Sequence, residues 1–194
     1  MTPAQQTVLD LVNKLNASTF GGWFQPSSVM AFVQIESAFR PRAYRKEPSG
    51  VASYGLMQIL DVTAKGIGFA GKMEDLYDPE TGLLWGMKYA RLIWDQLARH
   101  FGRPPTLTEW CSAYNEGPGN VFKGRDDSAY AKPWLAAKEH WRYVDATVSA
   151  AAIPSATEMQ RALNAAGADL VVTGVWGVRS QAALAAYYAR AGGA

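Results

Sequence analysis

Between Asp78 and Gly102 the chain carries one helical signal long enough to constrain everything around it. Asp78 suits a cap, Pro79 the first helical position and Glu80 the first turn. Leu83, Leu84, Met87, Ala90, Trp94, Leu97 and Phe101 then recur on one broad face until Gly102-Arg103-Pro104-Pro105 stops the run. A face of that length is buried only against other packed elements. The neighbouring periodicities are helical too. Val8, Leu11, Val12 and Leu15 mark a first helix. Ser27 and Ser28 are candidate caps ahead of a second, which Pro41 should end at Arg40. Another helix is expected from about Thr106 to Asn115, where Gly117-Pro118-Gly119 breaks it, and one more holds Trp141, Val144 and Val148. From Arg42 to Ser53 the periodicity dissolves into what reads as a loop or small irregular lobe. The expected fold class is mainly α.

At 194 residues, 48% hydrophobic and 12% aromatic, the chain can bury one substantial core and a small satellite. Nineteen Lys and Arg against 17 Asp and Glu leave a formal charge of +2, too small and too scattered to point to nucleic acid. The single cysteine, Cys111, makes no internal disulfide, and with only His100 and His140 there is no zinc-ligand spacing. No metal or cofactor is expected, so the chemistry falls to carboxylates, hydroxyls and amides. Neither a secretory signal at Met1–Gln6 nor a bilayer-spanning apolar run is legible, which predicts no stable membrane insertion and synthesis in the cytoplasm.

Composition shifts to Ala with a Pro around Ser149–Ser155, a plausible linker, giving expected domains of 1–150 and 151–194. Beyond it Glu158 to Ala166 reads as a helix with Met159 and Leu163 inward. An extended Leu170 to Val172, a turn at Thr173-Gly174 and a last helix with Ala183, Leu184 and Tyr187 follow.

One residue breaks the apolar pattern. Val29, Phe32, Val33, Glu36 and Phe39 share a helical face, so Glu36 stands where the pattern reserves an apolar side chain. Loss of hydration there disfavours the charged form and raises the pKa, leaving a carboxyl able to protonate a glycosidic oxygen near neutral pH. The other reading is a Glu at the edge of the stripe, reaching solvent or bonding a backbone amide. Polar groups suited to sugar hydroxyls accompany it in Gly55-Leu56-Met57-Gln58-Ile59 and in Ala113-Tyr114-Asn115 at a helix end.

A resemblance rests on several pieces in order. They are Glu36-Ser37 with Ala38-Phe39-Arg40-Pro41, then Ser53-Tyr54-Gly55-Leu56-Met57-Gln58-Ile59 with Thr63-Ala64, and Leu76-Tyr77-Asp78-Pro79. Gly86 and Tyr89 come next, followed by Ala113-Tyr114-Asn115 with Gly117-Pro118-Gly119, and Tyr143-Val144. Together, over about residues 29 to 148, they resemble the goose-type lysozyme and soluble lytic transglycosylase superfamily. The resemblance implies a lysozyme-like helical fold with Glu36 as catalytic acid/base and Ser37 supporting it. It implies that Met57, Gln58, Tyr114 and Asn115 line the substrate cleft and that Tyr143 bonds near Glu36. Asp61-Val62 and Glu116 depart from the family pattern, and Asp61 is a candidate second carboxylate.

The activity so implied is cleavage of the β-1,4 bond between N-acetylmuramic acid and N-acetylglucosamine in peptidoglycan, with closure to a 1,6-anhydro sugar. The alternatives are hydrolysis of the same bond by a muramidase and a non-catalytic wall-binding or virion protein. Glu158-Met159-Gln160-Arg161-Ala162-Leu163-Asn164, Thr173-Gly174-Val175-Trp176-Gly177 and Ser180-Gln181-Ala182-Ala183-Leu184 resemble one short peptidoglycan-binding repeat, set against a merely structural tail. The expected partner is the glycan strand and the expected state a monomer. A phage endolysin, reaching the wall through a membrane lesion or within a virion, fits this combination, as does a bacterial origin.

Overall fold

The computed structural model describes residues 1–47, 50–125, 127–147, 156–172, 179–180, 182–184 and 186. The chain forms two compact units, Met1–Leu92 with Ala129–Ala152, and Ile93–Ser128 with Ile153–Ala194. Helices dominate, as the periodicities predict.

Helix α1 (Pro3–Phe20) opens with a capping box of Thr2 and Gln5 and closes on Gly21 in the left-handed region. It buries Val8, Leu9, Val12 and Leu15, so Leu9 takes the inward place that the spacing gave to Leu11. The Asn16 side chain bonds both backbone groups of Phe24, at 2.8 and 2.9 Å, and thereby fixes the link to the next helix. Helix α2 (Pro26–Ser37) begins at a proline rather than at the serines, which lie inside it and are buried. It ends three residues before Arg40 because Ala38 and Phe39 both take positive φ, 50° and 62°.

The segment expected to be a loop or small irregular lobe carries a small antiparallel sheet. Strands β1 (Tyr44–Lys46), β2 (Ala52–Tyr54) and β3 (Ile59–Leu60) pair in sequence order, with Tyr44 opposite Tyr54 and Arg45 opposite Ser53. Helix α3 (Asp61–Gly66) and a 3-10 turn at Met73–Tyr77 follow. Ile59, Ala64, Phe69 and Leu76 form a local core beneath the sheet.

Helix α4 (Pro79–Phe101) matches its predicted limits. Helix α5 (Leu107–Glu116) starts at a capping box of Thr106 and Glu109, and α6 (Pro118–Val121) is one turn long. Arg103 braces the start of α5 through a two-pronged pairing with Glu109 at 2.6 and 2.8 Å. Helix α7 (Ser128–Trp141) runs into a 3-10 segment, Arg142–Thr147.

In the first unit Phe24, Met30, Phe32, Leu56, Met57, Leu83, Met87, Trp134 and Trp141 are essentially inaccessible. In the second, Leu163 of α8 (Ala156–Ala165) and Leu184 pack with Ala98, and Met159 and Leu170 lie against them. Leu170 to Val172, expected to be extended, belongs to no sheet among the described residues. The Asn164 amide instead bonds both backbone groups of Leu170 at 2.8 Å, and Val171 is exposed. The expected linker at 149–155, the Thr173-Gly174 turn and Tyr187 lie outside the described residues.

Candidate active site

Glu36 occupies the last turn of α2, half-buried, with its core-facing helical neighbours Phe32 and Val33 fully buried. Two influences there disfavour a negative charge: loss of water, and the negative end of the helix dipole. Burial lifts the carboxyl from an ordinary 4.5 to about 7. Two weaker influences oppose it, a hydrogen bond donated by the Tyr130 hydroxyl to Glu36 Oε1 and the positive charge of Arg45. Tyr130 comes from α7, 94 residues along the chain, and is buried.

The helix end is held on other sides as well. Ser37 is buried and donates to the Val33 carbonyl at 3.1 Å, so its hydroxyl supports the last turn. The Trp141 indole donates to Gln34 Oε1 at 2.7 Å, and the Phe39 ring meets Trp141 edge-on at 5.6 Å. The left-handed pair Ala38 and Phe39 therefore turns the chain sharply after Glu36 and returns an aromatic ring to the core.

Arg45 is delivered by the sheet. Ser53, opposite Arg45 in the β1–β2 register, donates to Gln58 Oε1 at 3.1 Å, while Gln58 Nε2 donates to the carbonyls of Ala43 and Gly55 at 3.0 and 2.9 Å. The Gln58 amide thus stitches the sheet together, and its backbone at φ 45° is accordingly over-determined. Gly55, at φ 75°, is required twice, since a Cβ there would lie 2.2 Å from the Leu76 carbonyl oxygen. Met57 is fully buried, and its side chain fills the space left by Gly86. Ser37, expected to support Glu36, and Met57 and Gln58, expected to line the cleft, are in this structure parts of the frame around Glu36 and β1.

Tyr143 is the clearest correction. Its ring is half exposed and lies against His140 and Trp141, and the phenol at Glu36 is Tyr130. Nothing local in the sequence marks Tyr130, because the contact is made across the fold. In the second unit Tyr114 is buried, and Asn115 is exposed on α5 with its amide donating to Asp127 at 2.6 Å. Asp61 accepts from the amide of Val62 at 2.7 Å, and its charge acts on Tyr54, whereas the charge acting on Glu36 is that of Arg45. Among the described residues no group of three or more His, Cys, Asp or Glu is arranged to hold a metal ion. No described helix is long and apolar enough to cross a membrane.

One partly buried carboxyl, half ionised near neutrality and gripped by a phenol, can both give and take a proton. The family described as "Transglycosylase SLT domain" matches residues 21–135, a segment that contains Glu36, the sheet and Tyr130 but neither Tyr143 nor the tail. Among solved structures, the crystal structure of the 70 kDa soluble lytic transglycosylase from Escherichia coli is similar to 95% of this chain, at 23% identity and a TM-score of 0.44. The chain spans 24% of the length of that protein.

Proposed function

The chain belongs to the transglycosylase SLT domain family, and we propose that it is a peptidoglycan lytic transglycosylase in which Glu36 is the one acid/base. The observation that carries this reading is the Glu36 carboxyl at about 7, placed between burial on one side and Tyr130 and Arg45 on the other. A glycosidase that uses two carboxyls divides acid from nucleophile or base. A single carboxyl with a pKa near the working pH performs both roles in turn.

The protonated Glu36 donates to the oxygen between N-acetylmuramic acid and N-acetylglucosamine. The bond from that oxygen to muramic acid C1 breaks, and the N-acetylglucosamine leaves with a free 4-hydroxyl. The resulting carboxylate accepts the proton of the muramic acid C6 hydroxyl as O6 bonds to C1. The product is the 1,6-anhydro sugar, Glu36 is again protonated, and no water is consumed. The second step is favoured because the attacking oxygen is already tethered to the sugar. Tyr130 is a positioning residue that fixes the carboxyl and stabilises its ionised form.

Mass analysis of digested sacculi tests the proposal. Anhydromuramic ends are the expected product, and Glu36→Gln abolishes them. Reducing muramic ends would make the enzyme a hydrolase, and substantial activity in Glu36→Gln would remove Glu36 from the mechanism. The finer assignments are proposals of the same kind: Asn115 and Tyr114 as substrate contacts, 1–150 as the catalytic part, and 151–194 as a wall-binding module. Bacterial lysis, as by an endolysin, is the proposed setting for a monomeric enzyme.

A further inference from the structure

The hairpin that carries Arg45 has a second side. Along an extended strand adjacent side chains point to opposite faces, so Tyr44 projects away from the side of Arg45. Its register partner is Tyr54, and the two rings meet edge-on at 5.3 Å. Tyr54 in turn touches Tyr77 at 5.6 Å, and the Arg42 guanidinium lies over the Tyr77 ring at 5.4 Å. Tyr44 is 51% exposed, while Tyr54 and Tyr77 are half-buried. Three tyrosines in a connected chain at a surface, one of them topped by a cation, are more than the scattered exposed apolar residue that any protein shows.

The surroundings are charged in one sense along the strand. Arg40, Arg42, Arg45 and Lys46 fall within eight residues that contain one acid, Glu47, and all four cations are exposed. On the other flank the charges of Asp61 and Glu74 reach Tyr54. A ligand of this face must therefore offer apolar C–H surface to aromatic rings, hydroxyls to phenols, and carboxylates to the Arg42 side.

We propose that the Tyr44–Tyr54–Tyr77 face with Arg42 is a second, non-catalytic binding surface for a glycan strand of peptidoglycan bearing carboxylate-ended stem peptides. This rests on the transglycosylase reading for the identity of the polymer. The chemistry matches: pyranose rings supply the C–H faces, and the muramoyl peptides supply the carboxylates that a neutral glycan such as chitin lacks. The location matches too, because Tyr44 alternates along β1 with Arg45, which pairs with Glu47 at 2.9 Å and whose charge still reaches Glu36. A strand held on the outer face keeps the enzyme among neighbouring strands while the site acts on another. Such tethering raises the local concentration of substrate without any new contact at the reacting bond.

Binding separates this inference from the catalytic one. The full chain carrying Glu36→Gln, which cannot digest its ligand, is co-sedimented with purified sacculi over a range of salt. Adding Tyr44→Ala is expected to weaken retention about threefold to tenfold, and Tyr44→Phe to restore most of it, since the ring is what stacks. Arg42→Gln is expected to weaken retention and to flatten its dependence on salt. Chitin should be held less well than sacculi. Retention of Tyr44→Ala equal to that of its parent overturns the proposal, as does loss in Tyr44→Phe equal to that in Tyr44→Ala, or equal binding to chitin and sacculi. Turnover plays no part in these measurements, so a failure of the Glu36 mechanism is read separately, from the sugar products.

Discussion

Replacing Glu36 with Gln should make the protein more stable, and the pH dependence of the gain is fixed by the site. In the folded chain the carboxyl titrates at about 7 against an ordinary 4.5. A carboxyl whose pKa is raised by folding favours the folded state fully below pH 4.5, where it is protonated in both states. That contribution is lost as pH rises toward 7, because the unfolded chain ionises first. At about 1.4 kcal/mol per pKa unit, the ionised Glu36 costs the folded state at most about 3.5 kcal/mol above pH 7, and nearer about 3 kcal/mol with solvent screening at a half-buried site. Gln has the same shape, carries no charge and still offers an oxygen to the Tyr130 hydroxyl. Glu36→Gln and the parent should therefore unfold alike at pH 4, and the variant should gain progressively to about 3 kcal/mol at pH 8. For a chain of this size that is a rise of roughly 6–12 °C in melting temperature. Urea titrations and thermal melts at five or six pH values measure the curve. A gain that is the same at pH 4 and pH 8, or a variant that is less stable at pH 8, would refute the assignment of Glu36 to a desolvated site.

Three further outcomes follow. Tyr130→Phe removes the hydrogen bond that favours the ionised carboxyl, so the alkaline limb of the kcat/KM profile should move upward; a bond to a charged group worth about 1.5–3 kcal/mol corresponds to roughly 1–2 pH units. A limb that stays in place sinks the positioning role. Asp145 accepts from both the backbone amide and the hydroxyl of Ser27, at 2.8 and 2.6 Å, at the start of α2, where Gln25 supplies no side-chain cap. Asp145→Ala should cost about 2–4 kcal/mol by urea unfolding, with Asn restoring part of it. Gly86→Ala would place a methyl 2.5 Å from Met57 Cβ and Sδ in a buried contact. The expected loss is about 1–3 kcal/mol despite the better helix propensity of Ala, and calorimetry would show it.

Sequence alone located the helices wherever the chain writes its own punctuation. The Asp78-Pro79 start of α4 and the Thr106–Glu109 box of α5 are local devices, and both elements stand where they were expected. Helix α2 was misplaced at both ends because its limits are set from elsewhere. Its first turn is capped by Asp145, 118 residues away, and its last is stopped by two non-glycine residues in the left-handed region, which no residue type announces. The sheet escaped for a different reason: strands of two or three residues are too short to show an alternating pattern. Glu36 was legible because a charged residue on an apolar stripe is a contradiction visible in one dimension. Its partners were not, since Tyr130 meets it and the Arg45 charge reaches it only after folding.

Those hidden partners determine what the carboxyl can do. Burial alone would raise Glu36 further, leaving it able to protonate a leaving oxygen but a poorer acceptor for the proton of the C6 hydroxyl. Full exposure would leave it near 4.5, ionised at neutral pH and unable to begin. The Tyr130 hydroxyl and the Arg45 charge offset part of the burial effect and leave the carboxyl at about 7, where both protonation states are populated, as a one-carboxyl mechanism needs. This gives the irregular parts of the fold their purpose. The left-handed turn at Ala38 and Phe39 ends α2 one residue after Glu36, and the Gln58-stitched sheet includes the strand that carries Arg45, whose charge is felt at Glu36. The least regular segments are thus the ones on which the proposed chemistry depends.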